Sequence, residues 1–310
     1  MLTGQIPGVI LEARLRRPEA FAEAAAARRR RASPAGEDGR LFLVAADHPA
    51  RGALGAGTDA MAMANRADLL ARLITALANP AVDGVLGTAD VIEDLLLLGA
   101  LDDKIVIGSM NRGGLAGSAF EADDRFTGYD AAAIAAAGLD GGKMLLRIDL
   151  ADPATAATLE SAARAVNELA DRALMAMIEP FISYREPAED GGPGRLRNDT
   201  STEAVITSAA IASGLGRTSA YTWLKLPAAE DMQRVAAAST LPVVLLGGEV
   251  TGEPDATFAR WRTALALPSV RGLVAGRSLL YPPDGDVSAA VGRAASLVRE
   301  RDGGTKGEAS

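Results

Sequence analysis

No cysteine occurs in the 310 residues, so disulfides and thiolate chemistry are both excluded. Histidine occurs once, at His48. A Ser-His-Asp triad therefore exists only if His48 belongs to it, and a multi-histidine zinc site cannot be assembled. No apolar run approaches the ~20 residues of a membrane-spanning helix. The N-terminus also lacks the apolar core of a signal peptide. Positive charge is outweighed: 32 Lys and Arg against 40 Asp and Glu leave a net charge of −8, which argues against general nucleic-acid binding. Hydrophobic residues make up 48%, too many for a disordered chain. A cytoplasmic enzyme with no membrane or nucleic-acid partner is expected, in a chain long enough for one large α/β domain.

Lysine is nearly as scarce. Only Lys104, Lys143, Lys225 and Lys306 occur, and every other basic residue apart from His48 is arginine. Arginine stays protonated, whereas an ammonium can lose its proton when desolvated and act as a nucleophile. Lys104 and Lys143 stand at the beginnings of apolar runs, and Lys306 lies in a polar tail. Lys225 alone ends a run. Residues 220–227 around it are aromatic and β-favouring and close on a proline, which reads as a buried strand. Parallel α/β proteins carry their chemistry at that end of a strand. The competing reading is a strand-end lysine that snorkels to solvent.

Residues 1–40 read as a helical extension. Pro18 opens a helix at its first position, and Glu19 and Glu23 suit its positive end. Arg28, Arg29, Arg30 and Arg31 follow, either as a phosphate- or RNA-binding set or, the favoured reading, as a solvated helix end that complements the dipole. From residue 41, apolar runs alternate with helical stretches. The runs cover 41–47, 82–87, 104–110, 143–149, 174–179, 220–226, 241–246 and 270–275, and a last helix covers 287–299. Residues 111–128 and 186–197 read as loops. Eight such runs predict an α/β fold of the (β/α)8 TIM-barrel kind over 41–300, followed by a polar tail at 301–310. An open doubly wound sheet is the alternative, but no Gly-x-Gly-x-x-Gly follows the first run.

Strand C-termini of a barrel converge on one mouth, and here they are polar. Asp47 ends the first run, with His48 and Arg51 just beyond it. Ser109, Asn111 and Arg112 follow the third run; Arg147 and Asp149 lie in the fourth, two apart and so on one face. Glu179 ends the fifth and Lys225 the sixth. Gly247 and Gly248 follow the seventh, and Gly276, Arg277 and Ser278 the eighth. Loops after strands seven and eight often hold phosphate on backbone N–H groups. Glycine permits the close approach, and Arg277 adds a charge-assisted bond. Ordinary tight turns are the alternative.

Flanked by Trp223, Leu224, Leu226 and Pro227, Lys225 is expected to be desolvated, which favours the free amine. A free amine attacks a carbonyl, and the protonated imine is an electron sink for making or breaking an adjacent C–C bond. Glu179 is the candidate proton shuttle if burial raises its pKa, or else a structural ion pair with an arginine. Asp47 and Asp149 are candidates to hold the ammonium or a substrate hydroxyl. Arg51 and Arg147 are candidate substrate or phosphate ligands. His48, Asn111 and Arg112 form a candidate substrate loop, with a purely structural role for His48 as the alternative.

The ordered motifs resemble the class I (Schiff-base) aldolase superfamily of deoxyribose-phosphate, tagatose-bisphosphate and archaeal-type fructose-bisphosphate aldolases. The resemblance is clearest to the tagatose-bisphosphate and sulfofructose-phosphate aldolase branch. Residues 45–54 are similar to that branch's first-strand Asp-Gln-Arg-Gly motif, with His-Pro-Ala-Arg replacing the Gln-Arg step. Residues 145–149 with Asp152 and Pro153 resemble its fourth-strand motif, and Glu179 stands at the position of its acid/base glutamate. Residues 223–227 resemble its Schiff-base lysine strand, and Gly247-Gly248 and Gly276-Arg277-Ser278 its phosphate loops.

The resemblance covers residues 41–285 and implies a metal-independent class I aldolase without a cofactor. Lys225 would form the Schiff base, Glu179 would shuttle protons, and Asp47 and Asp149 would orient the lysine and substrate hydroxyls. Gly248, Gly276 and Arg277 would bind phosphate. The implied substrate is a phosphorylated ketose or keto-acid that yields dihydroxyacetone phosphate. An actinobacterial subgroup tied to inositol breakdown makes 2-deoxy-5-keto-gluconate 6-phosphate a candidate, with malonate semialdehyde as the other product. Barrels of this kind often assemble, so a homo-oligomer is expected. Residues 111–128 and 186–197 depart from the branch, and such loops select substrate. A magnesium-dependent lyase using Glu179, Asp149 and Asp47, and a non-catalytic sugar-phosphate sensor, are the alternatives.

Overall fold

Short apolar segments form the strands, and strand geometry sends alternate side chains to opposite faces. The computed structural model describes residues 6–33, 35–36, 38–111, 114–187, 194–248 and 254–300. β1 (Leu41–Ala45) pairs in parallel with β2 (Gly84–Gly87), which pairs with β3 (Ile105–Ser109). β4 (Gly141–Ile148), β5 (Met175–Glu186), β7 (Thr222–Leu226), β8 (Val243–Leu246) and β9 (Val270–Ala275) continue the parallel pairing, and β9 returns to β1. Among the described residues, eight parallel strands thus close into the expected (β/α)8 barrel.

The two faces of the barrel wall read directly from the strand period. Leu41, Leu43 and Ala45 of β1 fill the lumen with Leu86, Ile105, Ile107, Met175, Met177, Val244 and Val274. Phe42, Val44 and Ala46 face the other way, into the larger core beneath the helices. The helices present matching stripes. In α3 (Arg66–Leu77), Leu69, Leu70, Leu73, Ala76 and Leu77 are buried on one side, and the Asn65 side chain caps the first turn by accepting from Asp68 N. α4 (Ala89–Leu97), α5 (Ala131–Ala136), α6 (Ala154–Ala170), α7 (Thr202–Ser213), α8 (Met232–Ala237), α9 (Pro254–Leu265), the short α10 (Arg277–Leu280) and α11 (Val287–Arg299) follow in order. Among the described residues, no helix is long and apolar enough to cross a membrane.

Two features depart from the sequence expectation. The first is the arginine quartet, which is not a solvated helix end. α1 (Ile6–Arg16) and α2 (Glu19–Ala27) precede the barrel, and α2 stops before the arginines. Arg28 is buried, donating to Lys104 O (2.7 Å) and Gly138 O (2.5 Å) and pairing with Asp140 at 3.3 Å. Arg30 shares Asp140 at 3.2 Å, Arg29 reaches Asp102 at 2.9 Å and Asp103 at 2.8 Å, and Arg31 reaches Asp83 at 2.7 Å. These partners all precede β2, β3 or β4. The arginines therefore fasten the extension across the end of the barrel remote from the mouth.

The second departure is a hairpin. β5 runs on past Glu179 and pairs antiparallel with β6 (Arg195–Asp199), matching Ile182 with Asp199 and Glu186 with Arg195. Part of the expected 186–197 loop is thus strand, standing up from the rim. The expected tail at 301–310 lies outside the described residues.

Candidate active site

The lumen face carries the apolar layers up into a polar one. On β1 the alternation Leu41, Leu43, Ala45 leads to Asp47, on β3 Ile105 and Ile107 lead to Ser109, and on β5 Met175 and Met177 lead to Glu179. On β7 Trp223 leads to Lys225. Leu145 lies opposite Glu179, and Met177 opposite both Lys143 and Trp223. Glu179 and Lys225 therefore stand at one level on neighbouring strands. Lys143 starts one layer deeper and reaches upward.

The four side chains form a chain of alternating charge. Lys225 Nζ donates to Glu179 Oε1, and Lys143 Nζ pairs with Glu179 Oε2. Lys143 Nζ also donates to Asp47 Oδ2 at 3.2 Å, and Ser109 Oγ donates to the same oxygen at 3.3 Å. Lys143 is 0% exposed and Lys225 3%. Isolated charges at such depth are prohibitive, but two ammoniums interleaved with two carboxylates cancel. Burial pushes the Glu179 carboxyl upward, yet Lys143 and Lys225 outweigh it and hold its pKa well below the ordinary value of 4.5. The condition of a pKa raised by burial is therefore not met.

Above this chain opens a cavity of about 620 Å³, with Glu179 and Lys225 in its lining. His48, Arg51, Gly247, Gly248, Gly276 and Arg277 also line it, as expected for the mouth of the barrel. Gly276 is required by contact: a Cβ there would lie 2.4 Å from Ala45 O and 3.3 Å from His48 Cε1. Gly248 has φ +68°, a left-handed conformation that side chains disfavour. Arg195, Arg197 and Asn198 of the rim hairpin complete one wall.

Other expected site residues are placed differently. Asp149 accepts from Ala151 N at 3.0 Å and shapes the turn after β4; the group that meets Glu179 is Lys143, from the other end of that strand. Asp47 orients Lys143. Arg147 touches the cavity but is locked to Asp124, which accepts from its backbone N (2.8 Å), its Nε (3.0 Å to each oxygen) and its Nη2. That carboxylate takes up the charge an incoming phosphate would need, so Arg147 serves as wall.

Asn111 is likewise structural, bonded to Asp124 O (2.9 Å), Leu145 O (2.5 Å) and Leu145 N (2.7 Å). Ser278 lines a separate cleft of about 150 Å³ with Phe258 and Pro282. Arg112 lies outside the described residues. Lys143 and Asp124 are the residues that sequence reasoning missed. Strand parity marks Lys143, because it lies four residues before Arg147 and so shares its face. Nothing local marks Asp124.

Among the described residues, no three His, Asp or Glu side chains converge as a metal-binding set. The magnesium alternative needs Asp47, Asp149 and Glu179 around one ion. Lys143 Nζ instead stands between Asp47 and Glu179, and Asp149 is turned to its own loop.

The family model described as Cgl0159-like matches residues 39–295. The crystal structure of Cgl0159 from Corynebacterium glutamicum is 55% identical, with a TM-score of 0.90 over 95% of this chain and 97% of that one. An archaeal fructose-1,6-bisphosphate aldolase, its catalytic lysine covalently bound to the carbinolamine intermediate of its substrate, is 17% identical, with a TM-score of 0.63 over 90% of this chain and 99% of that one. The fructose-bisphosphate aldolase from Slackia heliotrinireducens is 15% identical, with a TM-score of 0.63 over 92% and 86%. At these last identities the likeness is one of fold. No curated protein matches the chain.

Proposed function

This chain belongs to the Cgl0159-like family, and from its site we propose that it is a class I aldolase working through an imine on Lys225, without a metal. The observation that carries the reading is a buried lysine on the cavity lining, bonded to a carboxylate that a second buried lysine holds in place. Attack by Lys225 needs its free amine. Glu179, in contact with Nζ and held as the carboxylate, accepts that proton and returns it to the carbinolamine hydroxyl, which leaves as water. In net, an ammonium and a carbonyl give an iminium and water. The iminium then draws the electrons of the adjacent C–C bond.

The substrate's phosphate goes to the loops after β8 and β9, where Gly247, Gly248, Gly276 and Arg277 line the cavity. A cavity of about 620 Å³ accommodates a six-carbon sugar phosphate. A phosphorylated ketose or keto-acid that yields dihydroxyacetone phosphate is the substrate class, with 2-deoxy-5-keto-gluconate 6-phosphate the specific candidate. Kinship to the tagatose-bisphosphate and sulfofructose-phosphate branch is part of the same proposal. The position of Lys143 Nζ between Asp47 and Glu179 favours this reading over a magnesium-dependent lyase.

Borohydride trapping tests it. Reduction in the presence of dihydroxyacetone phosphate should fix an adduct on Lys225, located by peptide mass spectrometry. Lys225→Arg should remain folded, form no adduct and show no turnover. Turnover surviving in that variant, or no adduct with any of a panel of ketose phosphates, overturns the reading.

A further inference from the structure

C–C cleavage makes a second proton demand, distinct from imine formation. The hydroxyl on the carbon that leaves as an aldehyde must lose its proton while the C–C bonding pair moves toward the iminium nitrogen. Glu179, paired with both lysines in the resting site, is the group assigned above to imine formation. Among the described residues that line the cavity, His48 carries the imidazole. Its ring lines the cavity, packs beside Gly276 and is 20% exposed. His48 Nδ1 is buried, makes no hydrogen bond among the described residues, and stands 3.7 Å from Asp47 Oδ1.

The opposite oxygen of Asp47 is anchored by Lys143 and Ser109, so the carboxylate is fixed where it faces the ring. A small approach makes the Nδ1–H···Oδ1 bond. Such a bond would fix the tautomer and leave the lone pair on Nε2 of a ring that lines the cavity. Burial, and then the charges of Arg277 and Lys225, hold the His48 pKa well below 6.5, so the resting imidazole is neutral.

We propose that His48, positioned by Asp47, is the base that removes the substrate hydroxyl proton during cleavage and returns it during condensation. This rests on the aldolase reading above. Nε2 takes the proton and the O–H pair becomes the aldehyde π bond. The C–C pair passes to the iminium, which becomes a neutral enamine, and imidazole becomes imidazolium. That proton leaves through the cavity with the aldehyde.

Three readouts on His48→Gln and His48→Ala separate this step from the others. They are the Lys225 adduct with dihydroxyacetone phosphate, exchange of its hydroxymethyl hydrogen in deuterated water, and its condensation with malonate semialdehyde and a panel of short aldehydes. Adduct and exchange should stay near those of the unaltered enzyme, which also shows the variants to be folded. Condensation should fall by ~10²–10⁴-fold, the usual worth of a general acid–base. Added imidazole should restore part of it in His48→Ala. Condensation at the unaltered rate, or exchange falling in step with condensation, overturns the proposal. Absence of an adduct in the unaltered enzyme overturns the Schiff-base reading itself, and the two failures are told apart by that measurement.

Discussion

Lys143→Met is the sharpest perturbation of the charge chain. The methionine is apolar and of nearly the same length, so the lumen stays filled and only the ammonium is lost. Asp47 then loses its Lys143 contact and Glu179 keeps Lys225, so the buried pair of carboxylates is short of one positive charge. Breaking a buried pair from one side costs about 3–5 kcal/mol. The cost should depend on pH, with a definite sign. In the parent, the Glu179 pKa is depressed. Its stabilisation is present above the unfolded pKa and is lost as pH falls through the lower folded value.

In the variant, burial dominates and one of the two carboxylates takes a folded pKa above its unfolded one. Protonation then favours the folded variant as pH falls. The stability gap should be widest at pH 8 and narrow toward pH 5, by up to ~1.4 kcal/mol per pH unit for the one proton. Urea unfolding followed by tryptophan fluorescence reads this directly, because Trp223 packs against the lumen core and Trp261 is buried on α9. Adding Asp47→Asn should recover part of the loss, since it removes the excess negative charge. A gap below about 1 kcal/mol, or one that is constant with pH, would refute the claim that Lys143 neutralises this pair.

The arginine staple and the cavity wall give two further expectations. Arg28→Ala removes a buried guanidinium from two carbonyls and Asp140, and should cost about 2–4 kcal/mol by thermal unfolding. Arg29→Ala, at an exposed pair, should leave Tm close to the parent's. Equal effects would mean that the extension is not fastened through Arg28. Asp124→Asn leaves the Arg147 guanidinium poorly compensated, and should raise KM more than it lowers kcat as the wall loosens. An unchanged KM would show that the wall does not contact substrate.

Much of the fold was legible because barrel strands are short apolar runs at even spacing. All eight appeared in the sequence, although β5 was longer than its apolar part. Past Ile182 its residues Ser183–Glu186 turn polar apart from Tyr184 and become strand by pairing with β6, and pairing is a tertiary property that composition does not carry. Lys225 and Glu179 were legible because each ends an apolar run. Lys143 was not, because it begins one; it lies opposite Met177, and its length carries its Nζ up one layer to the same carboxylate. The same parity that pairs Arg147 with Asp149 misled there, since the chain turns after Ile148 and the Asp149 carboxylate is used by its own loop.

By itself, the sequence determined the barrel, the scarcity that singles out Lys225, and the glycine loops that line the mouth, because each depends on the local order of residue types. Tertiary structure alone decided the charge state of Glu179, the partners of Asp47, Arg28 and Arg147, and the facing of His48 toward Asp47. Those depend on which distant groups share a low-dielectric space, and closure of the barrel sets that distance.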